Sequence, residues 1–317
     1  MNRYRPWLEL CRLPGVFTAM ADPLAGALVA GAGWRQALSV AALMLASACL
    51  YAAGAALNDW ADYRKDLLAK PWRPLPSRRI RRFMALLLAV GLLILGGLLT
   101  WAPGPDTARI GALLVGAILA HDILMKNLPA APVVLSGCRA LNLLLGMVLV
   151  PASNSSPPPM RVYLLVAMAL YVLGLGLFAA GDNAWGTARR LAAGSTLTWL
   201  AIIAVALLQF FFPEQASGFG GTAWVVLVLA ATGYRMSQAI FTPKPQNVQI
   251  AVATTAFGTI VLEAAMVAAT RGLLASLLVM LLLPPALWAA ERLSTTAVRR
   301  QPSTRTQAET PPLDTPG

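Results

Sequence analysis

The sequence predicts an all-α integral membrane protein, and three observations support this prediction. Hydrophobic residues make up 58% of the 317 residues and charged residues only 12%, whereas a soluble domain averages about 25% charged residues. The apolar residues form long runs, and the basic residues concentrate in alternate loops between those runs. The composition excludes a soluble enzyme, a disordered chain and a secreted disulfide scaffold, because too little polar surface remains to cover a soluble core.

Ten apolar segments approach the length of about 20 residues that a helix needs to cross a bilayer. Backbone polar groups in lipid must bond internally, so each segment is predicted to be a helix. The last two segments have almost no loop at Thr270–Gly272, and they form either a tight hairpin or one span followed by a re-entrant piece. We therefore predict a bundle of nine to ten transmembrane helices. The segments are 13–32, 37–57, 83–101, 108–125, 133–151, 162–180, 191–212, 222–241, 248–269 and 272–290.

The basic residues predict the orientation of the chain. With the N-terminus in the cytoplasm, most Lys and Arg residues fall on the cytoplasmic side, and the opposite side holds Arg35, Arg109, Arg161 and Arg271. Such an excess in cytoplasmic loops is the usual topology signal, so the net charge of +12 indicates orientation rather than nucleic-acid binding. We predict a multi-pass protein of the inner (cytoplasmic) membrane. A transmembrane domain covers 1–290 and a disordered cytoplasmic tail, rich in Pro, Thr and Arg, covers 291–317.

A cluster of acidic residues follows the second apolar segment. Asp59, Asp62 and Asp66 are three and four residues apart, so a continuing helix would place all three carboxylates on one face. Asn58 lies one turn before Asp62 on that face. Like charges at this spacing repel one another, and a cation among them would stabilise the arrangement. Mg²⁺ binds through carboxylates, water and substrate phosphates, so the pattern predicts a magnesium site. The competing interpretation is a solvated helix end of mixed charge.

A proline-rich loop, Lys70–Arg79, comes directly after the acidic cluster. Its three prolines within six residues exclude a helix, so we predict a rigid loop that holds Arg73 near the carboxylates. Metal-bound carboxylates together with guanidinium groups can bind a diphosphate, because the metal neutralises the leaving group and Arg contacts it in a bidentate manner. The arginines between residues 78 and 82 are also explained as the positively charged flank of a cytoplasmic loop.

These residues resemble the UbiA superfamily of membrane prenyltransferases. Asn58–Asp66 reads NDxxDxxxD, and Arg73–Ser77 reads RPLPS, in the family's order and at its distance. The stretch Gly137–Gly146 resembles an EboC-like branch of the superfamily. The resemblance implies a helical bundle around a central cavity that opens laterally to lipid. It also implies Mg²⁺-dependent transfer of a prenyl group from a prenyl diphosphate to an acceptor, with Asn58 and the aspartates of the first motif holding Mg²⁺ and diphosphate.

Polar residues near the ends of the fourth and fifth segments are functional candidates, because such residues are costly in lipid. His121, Asp122 and Lys126 lie at the cytoplasmic end of the fourth segment, and Arg139 and Asn142 lie one turn apart in the fifth. Lys126 and Arg139 are predicted to reach a bound diphosphate. Asp122 is predicted to bind metal, to pair with a basic residue or to orient an acceptor. The alternative is that these charges form structural ion pairs only.

The second half departs from the family pattern. Most UbiA enzymes carry another Asp-rich loop after the sixth span, but the only acidic residue of this loop is Asp182, and Gly186 stands four residues later. A second Mg²⁺ site on the usual plan therefore lacks ligands. Three alternatives remain: weak binding of one ion by Asp182 and Asn183, replacement of the metal by the charges of Arg189 and Arg190, or loss of diphosphate ionisation.

Three further polar residues stand alone in separate segments. Asp22 lies in the middle of the first segment and Glu263 in the outer half of the ninth. Each is predicted either to face the cavity and contact an acceptor, or to be a protonated or helix-pairing carboxyl. Arg235 is predicted to reach the cytoplasmic interface.

The favoured prediction is a Mg²⁺-dependent prenyltransferase that cleaves a prenyl diphosphate and shields the allylic cation from water in an apolar cavity. The alternative is a non-catalytic protein of the same fold that binds or transports an isoprenoid or another lipid-like small molecule. A solute transporter is disfavoured because the sequence shows no internal repeat. The predicted catalytic residues are Asp59, Asp62, Asp66, Asp122 and Asp182, the first three also being metal ligands; the predicted substrate-binding residues are Asn58, Arg73, Lys126, Arg139, Asn142 and Arg189.

Overall fold

A computed structural model describes the backbone of residues 3–125, 128–153, 156–180 and 184–300; the side chains of 184–187, 219 and 294–300 lie outside the description. Within these ranges the chain folds into 13 α-helices. They are α1 (Arg5–Leu10), α2 (Leu13–Ala30), α3 (Ala37–Ala61), α4 (Tyr63–Ala69), α5 (Arg82–Leu99), α6 (Pro105–Leu119), α7 (Ala131–Met147), α8 (Pro158–Ala179), α9 (Ala184–Phe211), α10 (Thr222–Phe241), α11 (Pro245–Arg271), α12 (Leu273–Met280) and α13 (Leu283–Arg300).

The predicted all-α membrane bundle is confirmed. In the described part of the chain, nine helical stretches are long and apolar enough to cross a membrane, and the shorter apolar helix α7 corresponds to the remaining predicted segment. Helix α6 continues into a π-helical turn over Ala120–Met125. The last stretch, Leu273–Leu293, combines α12 with the first part of α13.

A tight hairpin joins α11 to α12, which is one of the two arrangements predicted for this region. Gly272 follows the last residue of α11 and adopts φ +85°, a left-handed conformation that a residue without a Cβ tolerates. Helix α12 ends at Met280, shortly before Pro284 and Pro285. Prolines lack the N–H that an uninterrupted helix would use, so the chain restarts as α13 rather than continuing.

The predicted boundary between the membrane domain and the tail falls inside a helix. Helix α13 runs to Arg300, ten residues beyond 290, and residues 301–317 lie outside the described part of the chain. The segment after 290 contains Leu, Ala and Arg, which favour helices, and meets no proline before Pro302.

Helices α2 and α11 form the centre of the bundle. About two thirds of their residues are buried inside the protein (61% and 67%), against 17% for α5 and α6, whose leucine-rich faces are exposed. Helix α2 packs against α3 and α7 from the first half of the chain, and against α11 and α13 from the second. The two halves therefore meet along α2.

Two glycines allow α2 and α7 to approach closely. A Cβ on Gly26 would collide with the carbonyl oxygen of Leu143, and a Cβ on Gly146 would collide with that of Pro23. Small residues at such a contact let helix backbones touch, which is a common way for membrane helices to associate. The close approach brings polar residues of α7 next to the middle of α2.

A proline inside α2 creates a polar position in the middle of the bundle. Pro23 has no N–H, so the carbonyl of Ala19, four residues earlier, loses its helical donor. The Ser47 hydroxyl of α3 donates to that carbonyl at 2.6 Å, and the Asn142 amide of α7 donates to it at 2.9 Å. The freed backbone group thereby ties three helices together.

The chain also contains two apolar grooves, and neither includes a residue of the aspartate motif. One, about 410 Å³ in volume, lies between α10, α11 and α13 and is lined by Thr232, Phe257, Gly258 and Leu287 among others. The other, about 610 Å³, lies beside Tyr163 and Phe212. The aspartate motif therefore lies outside both grooves.

Candidate functional site

The aspartate motif lies at the junction of α3 and α4. Asp62 is the residue between the two helices, and its backbone departs from helical geometry. The hydrogen bonds from Asp62 N to Asn58 O and from Asp66 N to Asp62 O, both 2.9 Å, nevertheless continue the i to i+4 pattern. The chain thus bends at Asp62 without leaving the helical path, and Asp59 and Asp66 both stay buried.

Arg73 lies between the first and last carboxylates of the motif. Its Nη1 atom is 3.2 Å from Asp59 Oδ1 and 2.7 Å from Asp66 Oδ2. The structure therefore brings Arg73 to the motif, as the sequence predicted. A cation between two buried carboxylates relieves the repulsion that their spacing would otherwise cause.

The proline-rich loop is held in place by apolar anchors. Leu75 and Ile80 are almost fully buried in a cluster with Leu10, Leu57 and Ala85. The Ser77 hydroxyl donates to the Arg73 carbonyl at 2.6 Å. These contacts explain how a loop without helical structure positions the Arg73 guanidinium.

The arginines that end this loop have different surroundings. Arg79 donates to Glu9 of α1 at 2.6 Å, and Arg82 lies over the rings of Trp60 and Tyr63, 4.7 and 5.2 Å from their centroids. Arg78 is exposed and has φ +57°. Arg79 and Arg82 thus join α1 and α5 to the motif, in addition to any role in topology.

Arg12 is a member of the cluster that sequence reasoning missed. Its Nη2 atom lies 3.0 Å from Asp59 Oδ1, so Asp59 contacts two guanidinium groups. Burial by itself would lower the pKa of Arg12, but the neighbouring groups Asp59, Tyr51 and Asp122 together outweigh it, Asp59 most of all, and raise that pKa above its ordinary value. The sequence signal was weak, because Arg12 has the same position before a span as any topology-determining arginine.

Asp122 lies on the π-helical turn that extends α6 and faces α3. It is buried, it contacts the His121 ring Nδ1 at 2.7 Å, and its Oδ2 lies against Gly54, one turn before Asn58. A π-helical turn re-aims side chains within a helix and occurs often at functional positions. Lys126, which the sequence predicted to act with Asp122, lies outside the described residues.

Arg139 and Asn142 are both engaged deeper in the bundle. Arg139 Nη2 is 3.0 Å from Asp22 Oδ1 and 3.7 Å from Glu263 Oε1, and it also donates to the carbonyl of Thr18. The Asn142 amide donates to Asp22 Oδ2 at 2.7 Å. Asp22 and Glu263 therefore do not stand alone, and the substrate contacts of Arg139 and Asn142 stay predictions.

The loop after the sixth predicted segment is only partly described. Asp182 lies outside the described residues, so the alternatives for the second metal site stay predictions. Arg189 has an exposed side chain, and Arg190 donates to the carbonyl of Ala180 at 3.2 Å. Arg235, predicted to reach the interface, contacts the ring of Tyr234 and the amide oxygen of Gln238 within its own helix.

The donor chemistry of the motif fits a hard divalent cation. Asp59, Asp62 and Asp66 supply carboxylate oxygens, the ligand type that Mg²⁺ prefers. Among the described residues, no three acidic, His or Cys side chains converge closely enough to form a metal site. Asp59 and Asp66 do converge on one positive charge, that of Arg73. The pair therefore accepts a cation between its carboxylates, and a metal there would require Arg73 to move.

Comparisons with known proteins agree with the predicted fold and family. A family model described as "UbiA prenyltransferase family" matches residues 20–251. A digeranylgeranylglyceryl phosphate synthase of Ignicoccus hospitalis is 39% identical over 113 residues, which cover 35% of this chain and 36% of that relative. The chain thus matches about a third of the length of that protein. A protein of the same name from Methanothrix thermoacetophila is 29% identical over 65% of this chain and 79% of its own.

A solved structure shares the fold. A UbiA homologue from Archaeoglobus fulgidus, whose structure contains GPP and Mg²⁺, superimposes with a TM-score of 0.55 at 14% identity. The alignment covers 82% of this chain and 99% of that one.

Proposed function

Because the chain belongs to the UbiA prenyltransferase family, we propose that it transfers a prenyl group from a prenyl diphosphate to an acceptor at the aspartate motif. The observation that carries the proposal is the contact of Arg73 and Arg12 with Asp59 and Asp66 at the junction of α3 and α4. This cluster combines carboxylates for a metal with guanidinium groups for a diphosphate, at the junction of two helices of an apolar bundle.

Asp59, Asp62 and Asp66 are the residues that would hold Mg²⁺. When bound, the ion would supply positive charge that neutralises a diphosphate leaving group. Two facts support this assignment: the Asp59 and Asp66 pair already accepts one cation, and the Archaeoglobus homologue was solved with GPP and Mg²⁺.

Arg73 and Arg12 would bind the diphosphate oxygens. Guanidinium groups form paired, charge-assisted hydrogen bonds with phosphates, and these bonds are about twice as strong as neutral ones. Arg12 is charged throughout the physiological range, as arginine side chains are. Asn58, Lys126 and Arg189 complete the set of proposed substrate-binding residues, whereas Arg139 and Asn142, also predicted from the sequence, are engaged with Asp22 in the interior.

In the proposed reaction the protein supplies positive charge for the diphosphate, an acceptor for one proton and an interior that excludes water. The bond between C1 of the prenyl group and the diphosphate oxygen breaks, and its electron pair leaves with the diphosphate. The allylic cation that remains is attacked by a lone pair of the acceptor, which then loses a proton. We assign Asp122 or Asp182 to orient the acceptor and receive that proton, because the predicted topology places both on the same side of the membrane as the aspartate motif. The apolar interior keeps water from the cation.

We propose an acceptor that carries a phosphate. The relatives are digeranylgeranylglyceryl phosphate synthases, and the loop beside the motif presents the exposed basic side chains of Arg78 and Arg81. A phosphorylated glycerol lipid would satisfy both the positive charge and the position at a membrane surface.

The experiment compares two aspartates at helix ends. Purified protein is incubated with Mg²⁺, a panel of prenyl diphosphates and acceptors with or without phosphate, and diphosphate release and prenylated product are measured. We expect Asp62→Ala to abolish turnover and Asp106→Ala, an exposed aspartate paired with Arg109 at the start of α6, to leave it unchanged. Donor binding without turnover would instead support the non-catalytic alternative, and equal activity in both variants would contradict the assigned site.

We also propose that the motif faces the cytoplasm. In a chain whose native cysteines are replaced, Leu68→Cys on α4 and Trp34→Cys between α2 and α3 place exposed thiols at opposite ends of the bundle. A membrane-impermeant maleimide added to intact cells should label the second thiol and spare the first. The reverse pattern would invert the proposed orientation.

A further inference from the structure

Two carboxyl groups and one guanidinium meet in the interior, and we call Asp22, Arg139 and Glu263 the buried triad. Asp22 of α2 and Glu263 of α11 are fully buried. Both contact the same Arg139 nitrogen of α7, at 3.0 and 3.7 Å. Asp22 lies nine residues into α2, about 14 Å along the helix axis. The triad is thus separate from the aspartate motif.

The triad has too few hydrogen-bond donors. Both Glu263 carboxyl oxygens are buried without a hydrogen-bond partner in the described structure, and so is Asn142 Oδ1. Asp22 Oδ1 has its ion pair with Arg139 but no hydrogen bond of good geometry. Buried acceptors normally have a donor, so four acceptor atoms in one place favour a state in which one of these groups is itself a donor.

The charges lead to the same conclusion. If both carboxyl groups were ionised, the triad would carry one net negative charge among fully buried residues. The neighbouring elements supply no other cation within the described structure: α3 contributes the neutral Ser47, and α8 contributes Tyr171. An uncompensated charge in a membrane interior is strongly unfavourable. The two carboxyl groups are also neighbours, since they lie 3.0 and 3.7 Å from the same Arg139 nitrogen.

We propose that the triad binds one proton, and that Glu263 carries it. Asp22 is the closer carboxyl to Arg139 and receives the Asn142 N–H at 2.7 Å, so its charged form is stabilised. Glu263 has no such donor and lies farther from the guanidinium. A protonated Glu263 provides an O–H for Asp22 and leaves the triad neutral. The proton thereby stabilises the contact between α2, α7 and α11, where the two halves of the chain meet.

The test counts charges in variants of the purified full chain. Glu263→Gln imitates the protonated acid, and Asp22→Asn lets Glu263 take over the negative charge beside Arg139. Both single variants stay neutral, so we expect their melting temperatures to lie within a few degrees of the parent protein. The double variant leaves Arg139 unpaired, and its melting temperature should fall by about 10 °C. Glu9→Gln, a change in a partly exposed carboxylate, is the matched control.

Infrared spectroscopy tests the same proton without relying on the variants' stability. The parent protein should show the carbonyl band of a buried protonated carboxylic acid, and Glu263→Gln should remove that band while Glu9→Gln retains it. Absence of the band in the parent protein, or a fall of about 10 °C in Glu263→Gln alone, would overturn the proposal. A melting temperature that rises with sodium but not with choline, only when Glu263 is present, would identify the bound cation as sodium and overturn it also.

Discussion

Two clusters of charged side chains in this protein share one arrangement but differ in burial. In each, one guanidinium contacts two carboxyl groups: Arg73 with Asp59 and Asp66, and Arg139 with Asp22 and Glu263. The Arg73 side chain is 25% exposed, whereas that of Arg139 is 12% exposed and its two partners are fully buried. The outer cluster has a second arginine, Arg12, whereas no second arginine of the described part of the chain contacts the inner one.

The degree of burial determines what the ion pairs of each cluster can contribute. In the outer cluster the side chains of Arg73 and Arg12 are 25% and 43% exposed, so water can solvate both guanidinium groups, and their ion pairs can exchange for contacts with a metal or a diphosphate. In the interior, neither charge can separate without a large desolvation cost. The outer cluster is therefore suited to binding and the inner one to holding helices together.

The largest expected effect is on stability at the inner cluster. Arg139→Gln leaves Asp22 charged and unpaired, so we expect a loss of about 3–5 kcal/mol in the free energy of unfolding. Arg73→Gln should cost less, because Asp59 keeps its contact with Arg12 and the Arg73 side chain is 25% exposed to water. Denaturant titration of the purified variants measures both. Adding Asp22→Asn to Arg139→Gln should restore most of the loss, and similar costs for the two single arginine variants would break the comparison.

Activity should show the opposite ranking. Asp59→Asn removes a charge from the proposed metal and diphosphate site, so we expect turnover to fall on the order of 10²–10³-fold. Asp22→Asn should change turnover by less than about tenfold, because the inner cluster remains neutral. Diphosphate release under saturating donor and Mg²⁺ provides the measurement. A larger loss for Asp22→Asn would place the inner cluster in the reaction.

A smaller effect distinguishes the proposed diphosphate contact of Arg12 from a role in membrane topology alone. Arg12→Gln removes a charge-assisted contact, which is worth about 1.5–3 kcal/mol, so KM for the donor should rise at least about tenfold. Arg3→Gln, an exposed arginine that also precedes the first span, is the control and should leave KM unchanged. Equal KM values in the two variants would return Arg12 to the role of a topology residue.

The smallest effect is expected at the surface contact of α1 with the loop. Glu9 pairs with Arg5 and Arg79 at partly exposed positions. Glu9→Gln should therefore cost about 0.2–1 kcal/mol, with a weaker effect at high salt. Unfolding at two salt concentrations measures it. A cost comparable with that of Arg139→Gln would show that exposure does not govern these ion pairs.

The outer cluster was largely readable from the sequence because its parts are close in the chain. Asp59, Asp66 and Arg73 span one helix end and one loop, so helical spacing and the prolines were enough to predict their contact. Arg12 was not readable, since it reaches Asp59 only because α2 packs against α3. Its sequence pattern is that of any arginine before a span.

The arginines that the sequence places on the opposite side of the membrane show the same limit. Arg161 donates to the carbonyls of Met147 and Val150 after α7, and Arg271 donates to those of Leu28 and Val29 at the end of α2. Both bind helix C-terminal carbonyls, which carry partial negative charge. Sequence reasoning counted them as exceptions to the topology signal, whereas the structure gives them partners.

The sequence alone was enough to predict the membrane-spanning segments, because a run of about 20 apolar residues is most stable in a bilayer. It was also enough to predict the aspartate motif, because helical spacing is a local property. Only the tertiary structure decided that Asp22, Arg139 and Glu263 meet. These residues lie more than 100 positions apart, and their contact depends on the glycines that let α7 reach α2 and on the packing of α11 against both halves. Hydrophobicity selects what is buried, whereas the fit between helices selects which buried charges become partners.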